Sequence, residues 1–248
     1  MLDKIHQGDC LEVMKLIPAG SVDMILCDLP YGTTACKWDS VIPFEPLWAE
    51  YKRIIKPNGA IVLTASQPFT TALIASNLQM FRYSWVWDKG RGSNFQHARR
   101  QPMKQHEDVC VFYVKQPTYN PQFWFDQPYV SKERVRARGI EGLNGKGAAA
   151  VCATTVSEDG RRYPRSILQF RRDSGRTHPT QKPVALFEYL IRTYTNPGET
   201  VLDSCVGSGT TALAALQTRR HYIAIEREPE YVELARQRLA TATLPLFG

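Results

Sequence analysis

The sequence lacks any apolar run long enough to cross a bilayer, and its mean hydropathy of -0.32 argues against a membrane protein. The first residues, Met1-Leu2-Asp3-Lys4-Ile5-His6, lack the apolar stretch of a secretory signal, so we expect a cytoplasmic protein. Six cysteines occur, but none forms a Cys-x-x-Cys pair, and a metal site is therefore not expected. We expect the cysteines to be reduced and to serve as small apolar residues.

Acidic residues are scarce relative to basic ones, with 24 Asp and Glu against 31 Lys and Arg and a net charge of +7. Most of this excess is local. Between Lys132 and Arg176, eleven Lys and Arg stand against five Asp and Glu, a difference of +6. A concentrated excess favours contact with a polyanion such as nucleic acid over a generally basic surface.

Continuous apolar runs alternate with helical patterns along the 248 residues. Runs of this kind predict strands covered on both faces, and their alternation with helices predicts a doubly wound, mostly parallel α/β sheet. The predicted strands are residues 4–7, 22–27, 59–64, 83–87, 109–114, 200–203 and 221–226, and the predicted helices are 44–55, 187–194 and 230–240.

Residues 116–176 break this alternation with closely spaced glycines, many arginines and little periodicity. We therefore predict three segments: residues 1–115 as the first half of one domain, 116–176 as a basic insertion on the rim of the sheet, and 177–248 as the second half of the same domain. The insertion, with Arg99 and Arg100, is the predicted contact surface for nucleic acid, and Arg161, Arg162 and Arg165 are its candidate phosphate contacts.

A glycine loop, Gly207-Ser208-Gly209-Thr210-Thr211, follows a predicted strand and opens a helix. Glycine lets the backbone approach a ligand closely, and a helix N-terminus offers free N–H groups to an anion. It is not a nucleotide-triphosphate loop, because Thr210 rather than Lys follows Gly209. Glu226 ends the next predicted strand, where an open α/β sheet places the acid that holds ribose hydroxyls.

The turn Asp28-Leu29-Pro30-Tyr31 directly follows another predicted strand, and so belongs at the ligand-binding edge of the sheet. An exocyclic base amine is a poor nucleophile, because its lone pair is delocalised into the ring. The Asp28 carboxylate and a turn carbonyl could accept both amine hydrogens and direct electron density to the nitrogen. Tyr31 could stack on the base for ~1–3 kcal/mol, which helps to offset base flipping.

With this turn placed before the glycine loop, the chain resembles the beta class of DNA amino-methyltransferases, in which a tetrapeptide, commonly Asp-Pro-Pro-Tyr, precedes the cofactor loop. The block His178-Pro179-Thr180-Gln181-Lys182-Pro183 adds to this resemblance, as does Gly8-Asp9. It extends over nearly the whole chain and is closest to orphan methylases of prophage type. It implies a circularly permuted, Rossmann-like methyltransferase fold with a seven-stranded sheet, S-adenosylmethionine as cofactor, DNA as partner and a possible homodimer.

The resemblance also assigns roles residue by residue. Asp28, Pro30 and Tyr31 would hold the target base, Asp9 would contact the cofactor's adenine, and Glu226 would hold its ribose. The whole implied cofactor site is Asp9, Asp28, Lys182, Asp203, Cys205, Gly207, Ser208, Gly209, Thr210 and Glu226. Two departures from the family pattern are Leu29 in place of a proline and Ser204-Cys205 in place of Pro-Phe.

Asp28 favours N6-adenine methylation over N4-cytosine methylation, since the cytosine enzymes often have Ser at that place. C5-cytosine methylation is disfavoured because the chain has no Pro-Cys pair. Glutamine methylation in protein usually places Asn first in the turn. A catalytically inactive DNA-binding relative remains an alternative, against which intact Asp28 and Tyr31 argue.

Overall fold

A computed structural model describes residues 1–33, 36, 39–130, 156–173 and 181–242. The chain divides into two compact units. The larger comprises Met1–Asn120 and Arg165–Gly248, and the smaller comprises Pro121–Pro164.

Strands from both ends of the chain form the sheet of the larger unit. In chain order the strands are β1 (Lys4–Gln7), β2 (Val22–Asp28), β3 (Ile55–Ala65), β4 (Phe81–Ser93), β5 (Lys104–Phe112), β6 (Trp124–Phe125), β7 (Tyr129–Val130), β8 (Val156–Ser157), β9 (Arg161–Arg162), β10 (Ile167–Gln169), β11 (Thr200–Asp203) and β12 (His221–Glu226). Eight of these described strands pair in the order β1-β12-β11-β2-β3-β5-β4-β10. Among the eight, only β5 runs antiparallel to its neighbours, which confirms the mostly parallel sheet.

Helices cover both faces of this sheet, as the doubly wound architecture requires. They are α1 (Cys10–Met14), α2 (Phe44–Ile54), α3 (Phe69–Ser76), α4 (Val184–Tyr194), α5 (Thr210–Gln217) and α6 (Pro229–Ala240). Buried side chains of α1, α2 and α3, such as Met14, Tyr51 and Leu73, share one core. Those of α4, α5 and α6, such as Phe187 and Ala214, share the other.

Alternate residues of the central strands feed these two cores. In β2, Met24 and Leu26 face the α4–α6 side, while Ile25 and Cys27 face the α1–α3 side. All four are fully buried, which explains why the sequence shows an unbroken apolar run here rather than an alternating one.

The sheet has one strand more than the resemblance implied. The eighth strand, β10, is three residues long and pairs parallel to β4, with Leu168 opposite Trp87. Leu168 is buried, whereas Ile167 is exposed. A strand this short, with one buried apolar residue, leaves no periodic signal, so the sequence places residues 167–169 in the insertion.

Several boundaries also differ from the sequence prediction. Helix α2 ends at Ile54, and β3 starts at once, so Lys56-Pro57-Asn58-Gly59 lies within the strand, where the pairing with β2 shifts register. Strand β5 begins at Lys104 rather than Val109 and ends at Phe112. Its polar first half pairs with β4, as the match of Glu107 with Trp87 shows.

The smaller unit holds two short antiparallel ladders, β6 with β9 and β7 with β8. Aromatic contacts stabilise this unit further. Phe123 and Tyr163 meet edge-on with ring centroids 5.0 Å apart, and the Arg161 guanidinium lies over the Phe123 ring. This unit, Pro121–Pro164, is narrower than the predicted insertion, residues 116–176. The division of the chain into three functional segments therefore stays a prediction.

None of the helices in the described part of the chain has the length and hydropathy needed to span a membrane. Cys10, Cys27 and Cys110 are buried free thiols, and Cys205 is a half-buried one. Cys152 lies outside the described residues.

Candidate active site

Strand ends gather polar residues at one edge of the sheet. Asp28, Asp203 and Glu226 end β2, β11 and β12. Between β11 and β2 the chain order of the sheet reverses, and open α/β sheets bind ligands in the crevice at such a point. A cavity of about 520 Å³ opens there. It is lined by most of the candidate residues, namely Asp9, Asp28, Pro30, Tyr31, Lys182, Asp203, Cys205, Gly207, Ser208, Thr210 and Glu226.

The Asp28 carboxylate is the most heavily engaged group of the turn. Its Oδ1 accepts hydrogen bonds from the Tyr31 hydroxyl, at 2.7 Å, and from the Thr64 hydroxyl. Strand pairing brings Thr64 directly opposite Asp28. Burial raises the pKa of Tyr31 well above its ordinary value, and the Asp28 charge raises it further, so the phenol stays a donor.

Tyr31 and Leu29 are fixed by apolar contacts. The Tyr31 ring stacks on Phe69, with centroids 5.0 Å apart and an interplanar angle of 25°. Leu29, which stands where the family commonly has proline, is buried in the core on the α1–α3 side. Packing therefore holds Leu29 in place, at a position where the ring of a proline would otherwise restrict the backbone.

Lys182 lies against Asp28 rather than only beside the glycine loop. Its Nζ donates to Asp28 Oδ2 at 2.8 Å and lies 3.2 Å from Glu107 Oε2. Burial lowers the pKa of Lys182, but Asp28 and Glu107 outweigh this, and the pKa lies above its ordinary value. Lys182 is therefore an ammonium shared by two carboxylates. The preceding His178, Pro179 and Thr180 lie outside the described residues.

The glycine loop depends on two left-handed glycines, Gly207 at φ 51° and Gly209 at φ 83°. A Cβ on Gly209 would also come within 3.0 Å of the Ala235 Cβ, so α5 and α6 pack closely at this point. Gly207 N–H donates to Glu226 Oε2 at 2.8 Å, and Glu228 N–H donates to Oε1 at 2.9 Å. Each carboxylate oxygen of Glu226 keeps a lone pair for a further donor.

Asp203 is a buried acid at the base of the same loop. It accepts from Cys205 N–H at 2.9 Å and from the Thr211 hydroxyl. Burial raises its pKa from 3.8 to about 7. Asp9, at the other side of the cavity, caps α1 by accepting from Leu11 N–H at 2.9 Å.

Several supporting residues carry no signal in the sequence. Arg238 of α6 donates to the Ser208 carbonyl at 3.1 Å and to the Thr210 hydroxyl at 2.9 Å, tying the glycine loop to that helix. The Tyr51 hydroxyl lies 2.6 Å from the hydroxyl of buried Ser204. An arginine in the last turn of a helix, such as Arg238, ordinarily complements the carbonyls of its own helix end, so sequence alone does not indicate this contact with another loop.

The arginines predicted to grip DNA do not line the cavity. Arg99 and Arg100 are exposed on the connection between β4 and β5. The two ends of this connection, at Asn94 and Lys104, do line the cavity. Within the smaller unit, Arg161 pairs with Asp159 at 2.8 Å, and Arg162 donates to the Gln127 carbonyl at 2.6 Å. Arg165 is exposed in the larger unit.

Comparison with known proteins agrees with this geometry. A model of the DNA methylase family matches residues 22–237. Type II methyltransferase M1.MboII of Moraxella bovis is 27% identical over 94% of this chain and 95% of its own length. DNA adenine methyltransferase YhdJ of Escherichia coli (strain K12) is 29% identical over 96% of this chain and 83% of its own length.

Solved structures share the fold. The M1.HpyAVI–SAM complex superposes with a TM-score of 0.63 at 24% identity, over 95% of this chain and 99% of that one. The PvuII DNA methyltransferase, named as cytosine-N4-specific, gives a TM-score of 0.68 at 17% identity, over 97% of this chain and 87% of that one.

Proposed function

Because the chain belongs to the DNA methylase family, which methylates base amino groups, we propose that it transfers a methyl group from S-adenosylmethionine to N6 of adenine at a specific DNA site. One observation carries the proposal. The same cavity joins Glu226 and the glycine loop, a place for a nucleoside, to Asp28 and Tyr31, a place for an amine-bearing base.

The residues of the first half fit the cofactor. Glu226 has acceptor capacity for ribose hydroxyls, and the N-terminus of α5 after Gly209 suits a carboxylate. Buried Asp203 suits an ammonium group. When bound, S-adenosylmethionine supplies an electrophilic methyl group on a sulfonium.

The residues of the second half orient and activate the amine. Among the described residues, Lys182 donates to Asp28 Oδ2, which keeps a lone pair for an amine hydrogen. A carbonyl of the Asp28–Tyr31 turn takes the other hydrogen. Drawing both hydrogens towards acceptors localises the lone pair on the nitrogen, and stacking on Tyr31 holds the ring in place.

Adenine is the proposed target because the turn begins with the carboxylate of Asp28, where the cytosine enzymes often have Ser, and because a relative named as a DNA adenine methyltransferase is 29% identical. N4 of cytosine is the second candidate target, because this chain shares its fold with the PvuII enzyme, which is named as cytosine-N4-specific. Either base presents an amine next to a ring nitrogen, so the chemistry is common to both.

A direct experiment distinguishes these targets. The purified chain is incubated with plasmid DNA and S-adenosylmethionine carrying a labelled methyl group, and the DNA is digested to nucleosides for chromatography and mass spectrometry. N6-methyldeoxyadenosine supports the proposal, N4-methyldeoxycytidine supports the second candidate, and no transfer supports an inactive DNA-binding relative. Asp28→Ala is the negative control.

We further propose that the basic insertion, residues 116–176, reads the target site and that the enzyme is a cytoplasmic homodimer. The charge excess of 132–176 supports the first part. Swapping residues 121–164, which form a unit of their own, for those of a relative should change the methylated sequence. Sedimentation velocity tests whether the protein is a dimer in solution. Cell fractionation tests whether it is found in the cytoplasm.

A further inference from the structure

A row of four charges extends from the catalytic turn along the wall of the cavity, which all four residues line. Asp28 Oδ2 lies 2.8 Å from Lys182 Nζ, which lies 3.2 Å from Glu107 Oε2. Glu107 Oε1 lies 3.2 Å from Lys89 Nζ. The signs alternate, so the row of two acids and two amines is neutral. The function proposed above uses Asp28 and Lys182 but assigns nothing to Glu107 or Lys89.

Three of the four side chains in the row are largely shielded from water, while Asp28 is 23% exposed. The side chains of Lys89, Lys182 and Glu107 are 4%, 7% and 11% exposed. Water and salt therefore screen these charges weakly. Arg172 also approaches Glu107, but at 3.9 Å and with 38% exposure, so solvent screens its charge more strongly.

Strand pairing places Glu107 in this row. Glu107 stands opposite Trp87 in the β4–β5 ladder, and Lys89 follows two residues later on β4. Trp87 is held in turn, since its indole N–H donates to the Phe170 carbonyl at 2.8 Å. Three strands therefore converge on the Lys182 ammonium: β2 through Asp28, and β5 and β4 through the Glu107–Lys89 pair.

The position of Lys182 creates a chemical problem for the turn. Asp28 must attract an amine hydrogen, and an ammonium at 2.8 Å takes up much of its negative charge. A second carboxylate on the same ammonium competes for that positive charge and leaves more negative charge on Asp28. Lys89 then balances Glu107, whose burial would otherwise have to be offset by Lys182 and the more exposed Arg172.

We propose that Glu107 is a positioning residue for methyl transfer, which sets the charge that Asp28 presents to the amine by sharing Lys182, with Lys89 as its balancing partner. The inference rests on the function proposed above. Burial alone raises the pKa of Glu107, but Lys182 and Lys89 more than reverse this, so the carboxylate is ionised at neutral pH.

A purely structural role, in which the row only ties strands together, predicts different results. Glu107→Gln keeps the shape and one acceptor oxygen but removes the charge. Lys89→Met with Glu107→Gln removes one charge of each sign and restores neutrality. If the charge balance matters, the double variant is the more active; if only the ties matter, the double variant is the less active.

The experiment measures kcat and KM on DNA for the full chain, with thermal melting as a check of folding. Glu107→Gln should lower kcat about tenfold to a hundredfold, the size expected for a charge two ion pairs away from the amine, while KM for S-adenosylmethionine changes little. The double variant should recover part of that loss, because removing Lys89 takes away a nearby positive charge but does not replace the carboxylate that shares Lys182. Glu50→Gln, which removes the partner of Arg53 on α2 away from the cavity, is the matched control and should leave kcat unchanged.

Each remaining outcome decides the question. Unchanged kcat in Glu107→Gln, or a double variant as slow as the single one, overturns the inference alone. An unfolded single variant with a folded, active double variant supports it, and two unfolded variants overturn it. Absence of methyl transfer by the unsubstituted chain removes the proposed function and this inference together.

Discussion

At the scale of single residues, Asp28 gives the sharpest test of the site, because its carboxylate already holds Tyr31, Thr64 and Lys182. Asp28→Ala removes the acceptor for the amine, and we expect methyl transfer to fall at least ~100-fold, as when one preorganised partner of a transition state is lost. Affinity for S-adenosylmethionine, measured by calorimetry, should stay within a few-fold. Activity within tenfold of the parent would exclude the assigned role.

Glu226 is expected to act on the cofactor alone. Glu226→Ala removes a charged hydrogen bond worth ~1.5–3 kcal/mol, and affinity for S-adenosylmethionine should fall accordingly. It also frees Gly207 N–H, which adds to the loss. Glu230→Ala, an exposed acid at the start of α6, is the control and should bind normally. Equal affinities in the two variants would remove Glu226 from the site.

Asp203 predicts how stability depends on pH. Burial raises its pKa from 3.8 to about 7, so between these values the folded chain holds a proton that the unfolded chain has released. This contribution to the free energy of unfolding is therefore lost as pH rises from about 4 to about 7. Urea unfolding of Asp203→Asn across that window should show a flatter dependence than the parent, and parallel curves would contradict the shift.

Among the elements, helix α6 supports the glycine loop, to which Arg238 donates two hydrogen bonds. Arg238→Met should weaken S-adenosylmethionine binding roughly tenfold, because the Ser208 carbonyl and the Thr210 hydroxyl lose a charged donor. Arg236→Met is the matched control. This exposed arginine lies on the same helix, but its hydrogen bond, at 3.4 Å, goes to the Ile5 carbonyl of β1 rather than to the glycine loop. Calorimetry on both variants measures the difference, and equal affinities would contradict the role of Arg238.

Elements buried on both faces could be predicted from the sequence. Strands β2, β11 and β12 coincide closely with the predicted runs, because every one of their central residues is apolar. Helix α3, Phe69–Ser76, could not be predicted, since eight mostly apolar residues show neither helical nor strand periodicity.

The residues of the candidate site also fall into those that the sequence marks and those that it does not. Residues held in local motifs, such as Asp28 and Gly207, could be found because a turn or a glycine loop marks them. Glu107 and Lys89 could not, because their role depends on strand pairing and on Lys182, 75 residues after Glu107 in the chain. Tertiary pairing of charges leaves no mark on a short window of sequence.

For the molecule as a whole, charge predicts the strength of DNA binding and its salt dependence. Replacing Arg161, Arg162 and Arg165 with Gln should flatten the plot of log affinity against log salt by up to about three units if all three touch phosphate. Arg162 also donates to the Gln127 carbonyl, so melting curves must accompany the titration. Cofactor affinity should not change, because none of the three arginines lines the cavity that holds Glu226 and the glycine loop.

The control for this prediction replaces three other basic residues, Lys15, Arg82 and Arg192, with Gln. These three residues lie outside the basic insertion, but they have partners like those of Arg161. Lys15 and Arg192 pair with Glu12 and Glu188, and Arg82 lies over the Tyr113 ring. Their loss should change the salt slope less. Equal slopes for the two triple variants would place the DNA grip elsewhere, with Arg99 and Arg100 as the next pair to replace.

The pairing of β1 with β12, which sets Lys4 beside Ile223, fixes when the sheet can first be completed. A ribosome adds about 5–20 residues per second, so roughly ten to forty seconds separate the synthesis of the two strands. Until then the nascent chain holds Asp28 and Tyr31 but has no Glu226. The order of synthesis therefore delays completion of the sheet until the strands of the C-terminal part have been made.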